Sequence, residues 1–310
     1  MPAAPPATPA PAATSGAPPS ALWAGYGYGL LGVAIFSLTL PMTRLVVGHM
    51  DPLLVGLGRA LLAALPAALW LIATGSRKPT HAEWRGIALS ACGIVVGWPL
   101  ASTLAMQSVP AAHGAVFNGL LPLSTALFAA WRAGERPARG FWVWAVAGAV
   151  LVTGFALAQG HGSLQTGDLW LALAVVLGGL GYAEGARVAR TLGGARTICW
   201  TLVACAPLLA APVSWLAASQ GELPAPGVLA AFAYLAFFSM FLGFFAWFRG
   251  LASGGIARVG QVQLLQPFLS VVAAAACFGE DVPPSTWFFA VAVVAVITCG
   301  RRAAQGSSRP

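Results

Sequence analysis

Apolar residues run along this chain in stretches of about 20, the length that covers the hydrocarbon core of a bilayer as a helix. Ten such stretches are legible, at roughly 23–46, 52–73, 86–107, 111–131, 141–158, 168–189, 197–217, 227–248, 257–278 and 284–300. Each predicts a membrane-crossing helix, because backbone polar groups in lipid must be satisfied within the segment itself. No stretch shows the alternation of polar and apolar positions that a barrel strand requires, so the pattern predicts an all-α membrane protein.

The pattern is written twice. Gln261 to Glu280 reads QVQLLQPFLSVVAAAACFGE, and 145 positions earlier Val116 to Glu135 reads VFNGLLPLSTALFAAWRAGE. Leu120 falls on Leu265, Pro122 on Pro267 and Gly134-Glu135 on Gly279-Glu280. Each copy holds five predicted helices, an odd number, so the second copy enters the membrane upside down relative to the first. The expected fold is ten transmembrane helices as two inverted five-helix repeats, residues 22–160 and 161–300. Residues 1–21 are almost entirely Pro, Ala, Ser and Thr and are expected to be a disordered tail. They lack the basic n-region of a signal peptide. Residues 301–310 form a short basic tail.

Composition agrees with lipid rather than water as the solvent. The chain is 58% hydrophobic and 8% charged, against about 25% charged in a soluble domain. Its net charge of +8 sits between apolar runs rather than on one face, which excludes a nucleic-acid footprint. If ten helices cross, one set of loops carries 14 of the 16 basic residues, among them Arg77, Arg132, Arg187, Arg249 and Arg301. The positive-inside rule then places both termini in the cytoplasm of a bacterial-type inner (plasma) membrane. The five cysteines lie singly in apolar runs and form no metal-ligand spacing.

These residues carry a family resemblance. A helix with an internal proline, then small residues, then Gly-Glu, present in both halves (Pro122 to Gly134-Glu135-Arg136-Pro137, and Pro267 to Gly279-Glu280), resembles the drug/metabolite transporter superfamily of the EamA type. The run from Trp247-Phe248-Arg249-Gly250-Leu251 to Gly260 resembles it too, and the likeness covers about residues 25 to 300. It implies a ten-helix carrier of small organic solutes such as amino acids, metabolites or drugs, often an exporter. Glu280-Asp281-Val282 departs from the basic-proline sequel after Glu135.

Polar residues inside lipid are costly and therefore informative. Gln263, Gln266 and Ser270 stand at i, i+3 and i+7, one face of the ninth helix. Asn118 and Thr125 occupy the positions matching Gln263 and Ser270. Two pseudo-symmetric stripes of amides and hydroxyls facing a central cavity suit neutral polar or zwitterionic solutes; the alternative is interhelical hydrogen bonding. Pro122 and Pro267 each remove a helix hydrogen bond and are expected to bend their helices, whether statically or during transport. Arg59 lies about 12 Å below one end of the second helix and suits a substrate carboxylate or a snorkel to the surface. Trp98, between Gly97 and Pro99, suits stacking on a flat solute or core filling. Glu184 is the one carboxylate well inside a predicted helix. It is the candidate for proton coupling, unless it forms a structural pair with Arg187 at i+3.

No nucleophile elbow, zinc-binding HExxH or phosphate-binding loop occurs, so no enzyme activity, cofactor or metal is expected. The expected partners are the lipid bilayer and a small organic solute; protons as coupling ion and a homodimer stay open. A non-transporting membrane protein or an intramembrane enzyme is the alternative.

Overall fold

The computed structural model describes residues 19–108, 117–159, 166–278 and 284–306. Among them stand ten helical stretches: α1 (Ser20–Val47), α2 (Pro52–Ala73), α3 (His81–Ser108), α4 (Leu121–Arg132), α5 (Arg139–Gln159), α6 (Thr166–Leu192), α7 (Gly194–Ser219), α8 (Pro226–Gly254), α9 (256–278) and α10 (Pro284–Gly306). No strand occurs among the described residues. Six helices, α1 to α3 and α6 to α8, are long and apolar enough to cross a membrane, and α5 and α10 hold shorter apolar runs. Their outer faces carry bare Leu, Ile and Val, such as Leu69, Ile72, Leu208 and Val291, each more than two-thirds exposed. Such a surface belongs in lipid. The protein is an all-α, multi-pass integral membrane protein built from two inverted five-helix repeats.

Helix ends fall within about six residues of the apolar runs that predict them, except at the fourth, where the run begins at 111, outside the described residues, and α4 begins at Leu121. The α-helical turn that leads into α1 begins at Pro19, inside the end of the expected tail; the rest of that tail, residues 1–18, lies outside the described residues. So do Gly279 and Glu280, and the structure describes only the first Gly-Glu pair.

The repeats interleave. The second helices pair with one another, α2 against α7, and the fifth helices do the same, α5 against α10. The first helix of each repeat packs against the third and fourth of the other: α1 on α8 and α9, α6 on α3 and α4. Glycines make the closest of these crossings possible, since lipid offers no hydrophobic drive and helices gain by tight packing. A methyl on Gly25 would stand 2.8 Å from the Gly254 Cα, and one on Gly93 would stand 2.6 Å from the Gly181 Cα.

Each irregular stretch faces the centre. α3 relaxes into a π-helical segment over Ala91–Gly97 and α8 does so over Tyr234–Leu242. Shifted by 145 positions, the first falls inside the second. α9 tightens to a 3-10 helix over Gln261–Leu265 before its α-helical part begins at Gln266. α1 breaks at Leu38, ahead of Pro41.

Candidate functional site

These breaks surround a narrow cavity of about 20 Å³ at the centre of the bundle, room for about one water as the helices stand. From the first repeat come Phe36 and Thr39 of α1, Arg59 of α2, Ile94 and Trp98 of α3, Asn118 just before α4 and Leu121 at its start. From the second come Tyr182 of α6, Ser239, Met240 and Phe244 of α8, and Gln263 and Gln266 of α9. Asn118 matches Gln263 and Leu121 matches Gln266 under the 145-residue shift, so both fourth helices present equivalent positions to one space. The polar lining residues are almost fully buried: Arg59 1%, Gln263 1%, Gln266 4% and Asn118 7% exposed.

The breaks explain how amides reach the centre. Asn118 and Gln263 stand four residues before Pro122 and Pro267, whose rings supply no N–H to the carbonyl at that position. Pro122 lies in the first turn of α4 and Pro267 at the start of the α-helical part of α9, so both prolines come directly after an irregular turn. Pro41 likewise withholds its N–H from the Ser37 carbonyl, which instead accepts the Ser270 hydroxyl at 2.6 Å. The Gln266 side chain donates to the Phe36 carbonyl at 3.3 Å, and Gln263 donates to the Gln266 Oε1 at 3.3 Å. Thr39 and Ser239 close a further bridge between repeats, hydroxyl to hydroxyl at 2.8 Å.

Of the residues singled out in the sequence, Asn118, Gln263, Gln266, Trp98 and Arg59 meet at this cavity. Thr125 and Ser270 do not line it. Thr125 turns back onto the Leu121 carbonyl at 2.9 Å and packs beside Gly260, and Ser270 is taken by Ser37. Tyr182, Thr39 and Ser239 complete the polar lining and carry no distinguishing sequence signal; an aromatic or hydroxyl residue in an apolar helix is ordinary.

Arg59 is the unusual member. Its guanidinium lies 5.5 Å from the centre of the Trp98 ring. Its Nε and Nη2 have no hydrogen-bond partner among the described residues, and neither has the Gln263 Oε1. A charge placed centrally in a membrane helix costs roughly 2.5–3.5 kcal/mol or more, and a desolvated cation–π contact offsets about 2 kcal/mol or more of that while satisfying none of the N–H donors.

Glu184 stands two positions beyond Tyr182 on α6 and is fully buried. Its carboxylate accepts Arg132 Nε at 2.6 Å, Arg187 Nε at 2.9 Å and Arg187 Nη2 at 2.7 Å. The i+3 pair with Arg187 is present, and Arg132, in the last turn of α4, is a second partner that helical spacing does not reveal. This clamp ties α4 of one repeat to α6 of the other.

Two more carboxylates bridge the repeats at the same, arginine-rich end. Glu83 accepts Arg77 at 2.7 and 2.8 Å and the Thr191 hydroxyl at 2.7 Å. Glu135 accepts the first backbone N–H groups of α9, Ile256 at 2.8 Å and Ala257 at 2.9 Å, and pairs with Arg190. Gly134 makes this possible: at φ +67° it ends α4 in the left-handed region and delivers Glu135 sideways to a helix start. The Gly-Glu pair thus has a physical role in the first repeat, as a cap on the second.

Comparison with known proteins agrees with this architecture. The model of the EamA-like transporter family matches twice, over residues 23–157 and 165–299. YdeK of Bacillus subtilis (strain 168), described as an uncharacterized transporter, is 44% identical over 277 residues, covering 89% of this chain and 95% of that protein. A crystal structure described only as that of a protein superposes with a TM-score of 0.73 at 20% identity, over 94% of this chain and 99% of the other. That last likeness concerns the fold alone.

Proposed function

The chain belongs to the EamA-like transporter family, and on that premise we propose that it is a secondary carrier, an exporter of small organic solutes working by alternating access. The observation that carries the reading is the buried cavity lined by equivalent positions of both repeats, Asn118 with Gln263 and Leu121 with Gln266. Two inverted halves that meet at one site open it to either side by rocking against each other. The carboxylates of Glu83, Glu135 and Glu184 bind across the repeats at one end and act as the latch of that side. Glu184, held by two guanidinium groups, serves this latch first; release of Arg132, its partner on the other repeat, accompanies opening while Arg187 stays beside it on α6. The segregation of 14 of 16 basic residues supports a bacterial-type inner membrane with this end and both termini in the cytoplasm.

Counterflow in proteoliposomes tests the proposal. A carrier preloaded with unlabelled solute draws labelled solute inward against its gradient, for at least one member of a metabolite panel assayed at two pH values. Flux that is only ever downhill marks a pore and refutes the reading.

A further inference from the structure

Among the described residues, the cavity is lined by a buried cation and no anion. Arg59 is 1% exposed, two of its nitrogens have no hydrogen-bond partner, and no acidic side chain stands in the described lining. The carboxylate two residues beyond Tyr182, Glu184, is saturated by Arg132 and Arg187. A protein that keeps an uncompensated guanidinium in its interior leaves its charge and its donors to a ligand. The second orphan is of the opposite kind: the Gln263 Oε1 has no donor and is open to a hydroxyl or N–H elsewhere on the solute, while the amide N–H₂ of Asn118, in the same lining, can donate to a carboxylate.

We propose that the solute is a small organic acid whose carboxylate binds Arg59 and whose uncharged, apolar body lies against the aromatic wall of Phe36, Trp98 and Phe244. This rests on the carrier reading and narrows its substrate. A planar carboxylate matches the guanidinium fork and supplies the charge that burial lacks. The rest of the lining, with Phe36, Phe244, Ile94 and Met240, is largely apolar and rewards a hydrocarbon or ring body. An amino acid is a poorer fit than the same acid without its amine, because the ammonium group would be buried with no acidic side chain to receive it. A neutral amide leaves the arginine uncompensated. A cation places like charge beside it.

The experiment measures thermal stabilisation of the purified full-length protein in nanodiscs at pH 8, with matched ligands that differ by one group. The probes are 3-phenylpropanoate, 3-phenylpropanamide and phenylalanine, with hexanoate and hexanamide as a second body. The acids are expected to bind at least tenfold more tightly than their amides, and 3-phenylpropanoate severalfold more tightly than phenylalanine. R59M is expected to erase the difference between acid and amide, and R59K to restore part of it. Amides or phenylalanine binding as tightly as the acids, or no acid binding at all, overturns the proposal. The wild-type comparison decides this even where R59M fails to fold. Counterflow with the same probes separates the two readings. Binding in the expected order without exchange upholds the acid site and sinks the carrier. Exchange of amide or phenylalanine in preference to acid does the reverse.

Discussion

Removing the charge of Glu184 measures the strength of the latch. Three charge-assisted hydrogen bonds, at 2.6, 2.9 and 2.7 Å, converge on this carboxylate. Glutamine keeps the volume but presents one acceptor oxygen and no charge. Only the Arg132 bond crosses between the repeats, since Arg187 lies one turn along α6 from Glu184. Bonds to charged groups contribute about 1.5–3 kcal/mol each and neutral ones about 0.5–1.5, so the latch forfeits roughly 1–1.5 kcal/mol if nothing else responds. Arg132 is about a third exposed, however, at 37%. Water re-solvates it when the anion is lost, which discounts the loss to about 0.5–1 kcal/mol. At 1.4 kcal/mol per tenfold, E184Q raises the population opened at the arginine-rich end about 2- to 5-fold. Ser90 reports it. Ser90 is fully buried, donates to the Gly181 carbonyl at 3.0 Å and lies against Gly185, next to the latch. In a chain whose native cysteines are replaced, S90C in nanodiscs should react with a membrane-impermeant maleimide faster by that factor in the E184Q background. Equal rates in both backgrounds would refute the latch.

Three other outcomes are expected from packing and backbone geometry. G185A drives a methyl into the Phe248 ring and to within 2.7 Å of Ser90 Oγ, and should lower stability by about 1–3 kcal/mol in a thermal or denaturant assay. G134A meets no atom within 4 Å but must hold φ +67°, so its cost is conformational, about 1–2 kcal/mol; G134N should recover part of it in the same assay. S270A leaves the Ser37 carbonyl without its donor and should cost about 1 kcal/mol while leaving ligand affinity unchanged, whereas N118A should weaken ligand binding in nanodiscs.

Helix number, repeat spacing and the cavity positions Asn118, Gln263 and Gln266 are legible in the sequence because each derives from a period: about 20 residues per crossing, 145 per repeat, 3.6 per turn. The same period predicts Thr125 and Ser270 on the cavity face, and there it fails. The chain passes through a turn before Pro122 and a 3-10 segment over Gln261–Leu265. Each break rotates the residues after it, so positions seven apart no longer share a direction. Arg132 escapes as a partner of Glu184 for another reason: they are 52 residues apart, and only the crossing of α4 with α6 joins them. Tyr182, Thr39 and Ser239 escape because nothing local marks a hydroxyl that faces a cavity from one that faces a neighbour. The bareness of Arg59 is legible only in three dimensions, since a sequence shows a charge but not the absence of its counter-charge.

The glycine crossings have a mechanical consequence. Gly25 and Gly29 of α1 meet Gly250 and Gly254 of α8 with backbone against backbone, and Gly93 of α3 meets Gly181 of α6 in the same way. A contact between bare backbones has no interdigitated knobs, so one rod shifts along the other without any rotamer having to change. These two seams are therefore smooth bearings, one where α1 crosses α8 and one where α3 crosses α6. A single added methyl at Gly25 or Gly93 would act as a burr on the corresponding surface.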